Sequence, residues 1–369
     1  MSAQPDKEKS SPSSKPMQVN EAIRSAFDKH NYELLGEIGR GGMGVVYLGQ
    51  HRKLGRRVAL KTLTPDRSTK ENSIRRFHRE AKTFAQIRHP NIANLFEFED
   101  QGAVQFLALE YVEGTDLERE RRKRRKWKYD EVAEIIAKLS DALDHTHKKG
   151  ILHRDIKPGN ILIEKNTNRV VLTDFGLAKG DQDESLTAAG FAVGTPAYMA
   201  PEQITDQFGL KPDGRADLFS LGTVAYEMLT HKHPFLASDD LNTMRNIVNG
   251  KVTPLRDVDP AIPPELAWIL ENMMEKDPKN RVPDAATLSQ RLNTWLAKFR
   301  SGEGGFTPTT PVPYTPLTPA PTSRASGSTP QQAPSPTPAR MPIGLIIGIV
   351  IGGVVLLGVG VAIGVVLFK

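Results

Sequence analysis

Gly39-Arg40-Gly41-Gly42-Met43-Gly44 has the spacing G-x-G-x-x-G, in which residues without a Cβ let backbone N–H groups close over the oxygens of a phosphate chain. What comes next separates two kinds of phosphate loop. A dinucleotide-binding turn opens a helix after its glycines, whereas Val45-Val46-Tyr47-Leu48 continues in β-branched and aromatic residues towards a turn near Leu54-Gly55. The pattern predicts a β-hairpin with Val46 over a nucleotide base, and it argues against a nicotinamide oxidoreductase. The following strand, Val58-Ala59-Leu60-Lys61, ends on a lysine that can neutralise α- and β-phosphates once a carboxylate fixes its ammonium. Glu80 is the candidate partner. It sits in an expected helix over 73–88, beside an apolar stripe of Ile74, Phe77, Ala81, Phe84 and Ala85.

Further along come His153-Arg154-Asp155-Ile156-Lys157-Pro158-Gly159-Asn160, an apolar strand at 170–172, Asp174-Phe175-Gly176, and Ala200-Pro201-Glu202. In this order, the motifs resemble the signature set of the eukaryotic-type (Hanks-type) protein Ser/Thr kinases, most similar to their bacterial membrane-anchored branch. The resemblance covers roughly residues 32–298. It implies an α+β fold in two lobes: a small β-rich lobe over about 32–112 and a larger α-helical lobe to about 298. It also implies ATP and Mg²⁺ as ligands in the cleft between them.

The same resemblance assigns roles. The nucleotide set is Ile38, Gly39, Arg40, Gly41, Gly42, Met43, Gly44, Val46 and Lys61, with backbone groups of Glu110 and Val112 on the base and Leu109 guarding the pocket behind it. Asp155 orients the substrate hydroxyl and accepts its proton, and Lys157 reaches the transferring phosphate, a lysine typical of Ser/Thr rather than Tyr kinases. Asn160 and Asp174 hold the metal through hard oxygens. Lys61 and Glu80 complete the catalytic set. Asp217 and Arg281 brace the larger lobe, Arg281 by pairing with Glu202. Arg154, next to Asp155, calls for an anionic partner in the active form, and phosphate on the segment 174–202 would supply it. Thr187, together with Ser185, is the favoured site of autophosphorylation, because Thr195 resembles the family threonine that lines the substrate site. The expected activity is transfer of the ATP γ-phosphoryl to Ser or Thr of proteins. The alternative is a catalytically silent scaffold that binds nucleotide and partners, against which Lys61, Asp155, Asn160 and Asp174 are all intact.

These residues need a scaffold, and 369 residues with 25% charged side chains have room for one. Cysteine is absent, which excludes disulfide frameworks, thiolate nucleophiles and Cys-ligated zinc. The net charge of +6 is mostly dispersed, so nucleic acid is not an expected partner. Its one dense cluster runs from Arg121 to Lys128 around Trp127, a combination suited to a solvated face, to anionic lipid or to an acidic substrate.

Residues 1–25 are polar and Pro/Ser-rich, read as a disordered lead without a secretory h-region. Residues 301–341 form a Pro/Thr/Ser-rich linker. Residues 343–368 carry no charge and exceed the roughly 20 residues needed to cross a bilayer, so a single transmembrane helix is expected there, with the kinase region facing cytoplasmic ATP. Gly344, Gly348 and Gly352, then Gly360 and Gly364, recur at a spacing that lets helix backbones approach. Self-association through that helix or through the kinase region is therefore a further expectation.

Overall fold

The computed structural model describes residues 21–41, 44–63, 71–101, 104–175 and 196–302. Gly42, Met43, Gly176, Ser185, Thr187 and Thr195 lie outside the described residues, as do the linker from residue 303 and the segment 343–368. Among the described residues, no helix is long and apolar enough to cross a membrane.

The first element, α1 (Glu21–Lys29), corrects the expected disordered lead for residues 21–25. It is amphipathic, with Glu21 in its first turn and Lys29 in its last, which suits the helix dipole. Phe27 is fully buried and lies edge-on to Tyr47 and Phe106, with ring centres 5.9 and 5.2 Å apart. So short a helix owes its stability to such tertiary contact rather than to propensity, which is why a local reading of a polar stretch passed over it.

Next come β1 (Tyr32–Arg40), β2 (Gly44–His51), β3 (Arg57–Leu63), α2 (Glu71–Phe84), β4 (Leu95–Glu99) and β5 (Phe106–Glu110). The strands form one antiparallel sheet in the order β1-β2-β3-β5-β4. Alternation sorts its two faces. Val45, Tyr47, Val58, Leu60, Phe106 and Ala108 pack together with Phe27 of α1. The opposite face carries Val46, Ala59, Lys61, Leu107 and Leu109, because Val46 pairs with Lys61, Ala59 with Leu109 and Lys61 with Leu107 across the strands. The Gly41 N–H donates to the Gly44 carbonyl at 2.9 Å and Arg40 pairs with Val45 as β1 and β2 run antiparallel on either side of the glycines, as the sequence predicts. At Gly44, β2 passes so close to β3 that an added Cβ would stand 2.1 Å from the Thr62 carbonyl oxygen. α2 stops at Phe84, short of the expected 88, and Ala85, placed in the apolar stripe by periodicity, is exposed beyond its end.

The larger lobe contains β6 (Gly114–Asp116), α3 (Leu117–Lys123), α4 (Tyr129–His147), β7 (Ile161–Glu164), β8 (Val170–Leu172), α5 (Pro201–Ile204), α6 (Gly214–Thr230), α7 (Asp240–Asn249), α8 (Leu255–Val258), α9 (Pro264–Met273) and α10 (Ala285–Ser301). β6, β7 and β8 form a small antiparallel sheet. α6 is the axis of this lobe, with every residue from 216 to 229 buried, as expected of a helix enclosed on all sides. The Asp213 side chain caps its start by accepting from the Arg215 N–H, and His231 ends it in the left-handed region at φ 56°. One continuous core joins α2, β5, α4, α6, α9 and α10.

The basic run is mostly neutralised by this packing. Trp127 is only 2% exposed, with the Arg124 guanidinium 4.1 Å over its ring. Arg121 pairs with Glu118 and Glu227, Arg122 with Glu118, Lys123 and Arg124 with Glu120, and Lys126 with Asp259. Arg125 and Lys128 remain exposed. The aromatic anchor that a lipid-binding surface would need is thus inside the protein.

His233 sits beside that network. Its Nδ1 accepts from the N–H groups of Phe235 and Leu236, both at 3.1 Å, and its ring lies edge-on to Tyr198. Burial, together with the nearby Arg121 cation, pushes the imidazole down to about 4. A folded pKa below the unfolded value near 6.5 means that the unfolded chain binds the extra proton first. The stability that His233 contributes is therefore complete above pH 6.5 and is lost as pH falls towards 4, on the order of 3 kcal/mol. Urea denaturation of wild type and His233→Asn at pH 7 and pH 4.5 should show the larger acid loss in wild type. Equal losses would remove His233 from the account.

Candidate active site

The Lys61 ammonium, on the inward face of β3, donates to Glu80 Oε1 at 2.6 Å and to Asp174 Oδ1 at 3.0 Å. Lys61 and Glu80 are largely enclosed, their side chains 15% and 10% exposed, whereas the Asp174 side chain is 46% exposed and faces the cleft. One cation thus serves two carboxylates. Burial works to lower the Lys61 pKa, but the Asp174 and Glu80 charges outweigh it and hold the ammonium firmly protonated. The Lys61 charge holds the Asp174 carboxyl below its usual range. Glu80, deeper in the protein, is raised by burial, with Lys61 opposing and Asp174 adding to the shift. Asp174 reaches this position just after β8 through a left-handed backbone at φ 53°, a conformation that Asp tolerates better than most residues.

Asp155 lies between two donors. Its Oδ2 accepts from Lys157 Nζ at 2.7 Å and from Asn160 Nδ2 at 2.9 Å, and Asn160 Nδ2 also reaches the Asp155 carbonyl at 2.8 Å. Asn160 is 6% exposed in the short turn Pro158–Asn160. Its carbonyl accepts from Thr173 N–H at 2.9 Å and Thr173 Oγ1 at 3.2 Å, which ties the loop bearing Asp155 to the residue just before Asp174. A small pocket with room for about one water lies beside Asp155 and Lys157, lined also by Tyr198, Met199 and Ser220.

Asp217 holds this loop from below. Buried in the first turn of α6, it accepts the backbone N–H groups of His153 at 2.8 Å and Arg154 at 2.9 Å, and it pairs with His147 Nε2 at 2.8 Å. Burial tends to raise the Asp217 carboxyl, but these partners win and keep it low. His153 is fully enclosed and kept neutral by burial, so Nε2–H donates to the Thr173 carbonyl at 3.0 Å while Nδ1 accepts from the Asp155 N–H. Phe175 packs on the His153 ring at 4.5 Å and on Phe84 of α2 at 5.4 Å. This links the loop, the segment after β8 and the helix carrying Glu80. Arg281 meets Glu202 through two bonds, at 2.6 and 2.7 Å, as the resemblance implied.

For the remaining nucleotide set, Gly39, Gly41 and Val46 lie on the β1–β2 hairpin, and Ile38 is 44% exposed there. The Arg40 side chain is paired with Glu37, which leaves its backbone as the part able to meet phosphate. The Glu110 N–H is taken by the Asn94 carbonyl at 2.8 Å, so of the two backbone groups expected on the base its carbonyl is the candidate. Neither backbone group of Val112 bonds to another described residue.

The donor set suits Mg²⁺. Asn160 uses its amide nitrogen on Asp155, leaving Oδ1, and Asp174 uses Oδ1 on Lys61, leaving Oδ2 without a described donor. Among the described residues, no cluster of three or more acidic or His side chains forms a complete cage. Two hard oxygens with waters and phosphate filling the other positions is the arrangement that Mg²⁺ favours.

Residues 32–293 match the protein kinase domain family. The chain belongs to that family. A probable serine/threonine-protein kinase of Clostridium perfringens is 36% identical over 256 residues, covering 69% of this chain and 37% of that protein. Serine/threonine-protein kinase Pkn1 of Myxococcus xanthus is 35% identical over 280 residues, 73% of this chain and 38% of its own length, and PrkC of Bacillus subtilis is 31% identical over 276 residues, 75% and 42%. The PknI kinase domain of Mycobacterium tuberculosis superposes with a TM-score of 0.55 at 26% identity, covering 72% of this chain and 96% of that domain. The chain is thus a Hanks-type kinase of the bacterial Ser/Thr group, and it spans well under half the length of the curated relatives it matches.

Several contacts around this kinase cleft were not anticipated from sequence. His147 on Asp217, Thr173 on Asn160, and Arg169 on Glu110 join residues far apart in the chain. A solitary Arg or His between ordinary neighbours carries no local signal for such partners.

Proposed function

We propose that this kinase transfers the γ-phosphoryl of Mg²⁺-bound ATP to Ser or Thr hydroxyls of proteins. The observation that carries the reading is the formed Lys61–Glu80 pair meeting Asp174, with Asp155, Lys157 and Asn160 gathered in the loop tied to the residue before it. Lys61 places the α- and β-phosphates, with Glu80 fixing its ammonium. Bound Mg²⁺, held by Asn160 and Asp174, supplies charge neutralisation at the phosphates. The substrate hydroxyl oxygen forms a bond to the γ-phosphorus as the bond from that phosphorus to the β,γ-bridging oxygen breaks, and ADP leaves. Asp155 orients the hydroxyl and receives its proton, while Lys157 offers positive charge to the moving phosphoryl group.

Regulation and location belong to the same reading. Thr187, with Ser185, accepts phosphate in trans, and Arg154 takes up the added charge. Residues 343–368 cross a bilayer as one helix, keeping the kinase domain on the cytoplasmic side where ATP is available. Direct transfer is favoured over a silent scaffold because the lysine pair and the aspartate loop are both assembled.

One preparation tests this: the full chain in detergent with γ-labelled ATP, Mg²⁺ and a generic protein acceptor. Label is expected on Ser or Thr, lost with chelator and restored by Mg²⁺, with autophosphorylation mapping to the peptide of Ser185 and Thr187. Bound nucleotide without any transferred label would sink the catalytic reading, and recovery of the chain outside the membrane fraction would sink the anchor.

A further inference from the structure

Glu110 ends β5 at the point where the chain leaves the small lobe. Both of its carboxylate oxygens are engaged. Oε2 accepts from Asn94 Nδ2 at 2.6 Å and from the Asn94 N–H at 3.2 Å, and Oε1 accepts from Arg169 Nη2. Arg169, between β7 and β8 of the larger lobe, spreads its guanidinium further, to Glu164 Oε1 and Oε2 at 3.1 and 3.2 Å and to the Pro90 carbonyl at 3.0 Å. It is a planar fork meeting three acceptors from three chain segments, a task that a lysine ammonium performs poorly.

The segment around Asn94 is itself fastened to the larger lobe. Leu172 N–H donates to the Asn91 carbonyl at 2.8 Å, Ala93 N–H to the Leu172 carbonyl at 3.1 Å, and Asn91 Nδ2 to the Val170 carbonyl at 2.6 Å. Glu110 is therefore held through Arg169 and through Asn94 by groups that all belong to, or rest on, the β7–β8 hairpin. The Glu110 side chain is 17% exposed and Arg169 27%, enough enclosure to strengthen the pair over a solvated one. Two side chains from separate segments, Arg169 and Asn94, thus converge on the Glu110 carboxylate.

We propose that Arg169 is a positioning residue for nucleotide: by fastening Glu110 to the larger lobe, together with Asn94, it sets where the Glu110 backbone carbonyl stands to receive the adenine amino group. This rests on the kinase reading above, which puts the base at Glu110. The base lies away from the reacting atoms and makes the same contacts before and during transfer. Loss of its alignment therefore weakens nucleotide binding without slowing the chemical step.

The test uses the full chain, with nucleotide affinity read by calorimetry for Mg-ADP and by KM for ATP. Arg169→Gln is expected to raise both about fivefold to tenfold while kcat stays within about twofold. Arg169→Lys should recover part of the affinity. Glu164→Gln, which removes the other carboxylate on Arg169 but leaves Glu110 held, should lower thermal stability with affinity unchanged. Asn94→Ala, which leaves Arg169 in place, should weaken binding in the same direction, and it serves as the reading if Arg169→Gln does not fold. Unchanged Kd in Arg169→Gln or Asn94→Ala overturns the proposal, as does an equal loss in Glu164→Gln, which would mark a general structural effect. The calorimetric pattern does not require catalysis. Wild type that binds nucleotide in this pattern but transfers no phosphate would overturn the kinase reading and uphold the positioning role.

Discussion

Asp155→Asn should lower kcat for phosphoryl transfer by a factor on the order of 10²–10⁴, the range for removing a positioned proton acceptor, with KM for ATP little changed. Asn has nearly the shape of Asp, so the loop keeps its form. The chemistry does not survive. An amide cannot take the hydroxyl proton, and it halves the acceptor capacity at a site where Oδ2 already receives Lys157 Nζ at 2.7 Å and Asn160 Nδ2 at 2.9 Å. If the amide nitrogen takes the Oδ2 place, donor faces donor, so the oxygen must stay there and the nitrogen occupies the other position. Steady-state transfer to a peptide, with circular dichroism to establish equal folding, measures the effect. A kcat within tenfold of wild type would remove Asp155 from the centre of the reaction.

The second large effect concerns stability. Arg281→Met should destabilise the folded chain by about 3–5 kcal/mol, the cost of leaving one partner of a buried ion pair uncompensated. The Arg281 side chain is 0% exposed and that of Glu202 2%, and the guanidinium also donates to the carbonyls of Glu275 at 2.6 Å and of Arg215 and Lys276 at 3.1 Å. Removal strands a buried carboxylate and three acceptors together. The double variant Arg281→Met, Glu202→Leu should be less destabilised than the sum of the singles, because no charge is then left alone. Urea denaturation followed by tryptophan fluorescence reads the larger lobe, where Trp127, Trp268 and Trp295 all lie. A loss under 1 kcal/mol for the single variant would show that water reaches the pair. Because Glu202 closely follows Tyr198 and Met199, which stand beside Asp155, weakened anchoring should also raise KM for the protein acceptor more than for ATP.

Legibility differed from residue to residue. Lys61 and Glu80 could be paired from sequence because a strand lysine on an apolar face needs an anion, and a helix with an apolar stripe offered one. The structure brings them to 2.6 Å. The hairpin was legible because β-branched residues directly follow the glycines. Phe27 was not, since its partners Tyr47 and Phe106 come from distant strands and its own neighbours are polar. Trp127 shows the reverse failure: a tryptophan among cations resembles a surface feature, yet Glu118 and Glu120 on the same helix and Glu227 and Asp259 from distant segments pair those cations while the indole is buried.

Sequence by itself determined the chemistry of the site, because proton acceptance, phosphate neutralisation and metal ligation each demand particular side chains, and their order along the chain is a local property. Tertiary structure alone decided the supports: Asp217 under the loop, Phe175 between His153 and Phe84, and Arg169 across to Glu110. Such contacts join segments tens of residues apart, and their energies depend on burial and on angle. Neither quantity exists until the chain has folded.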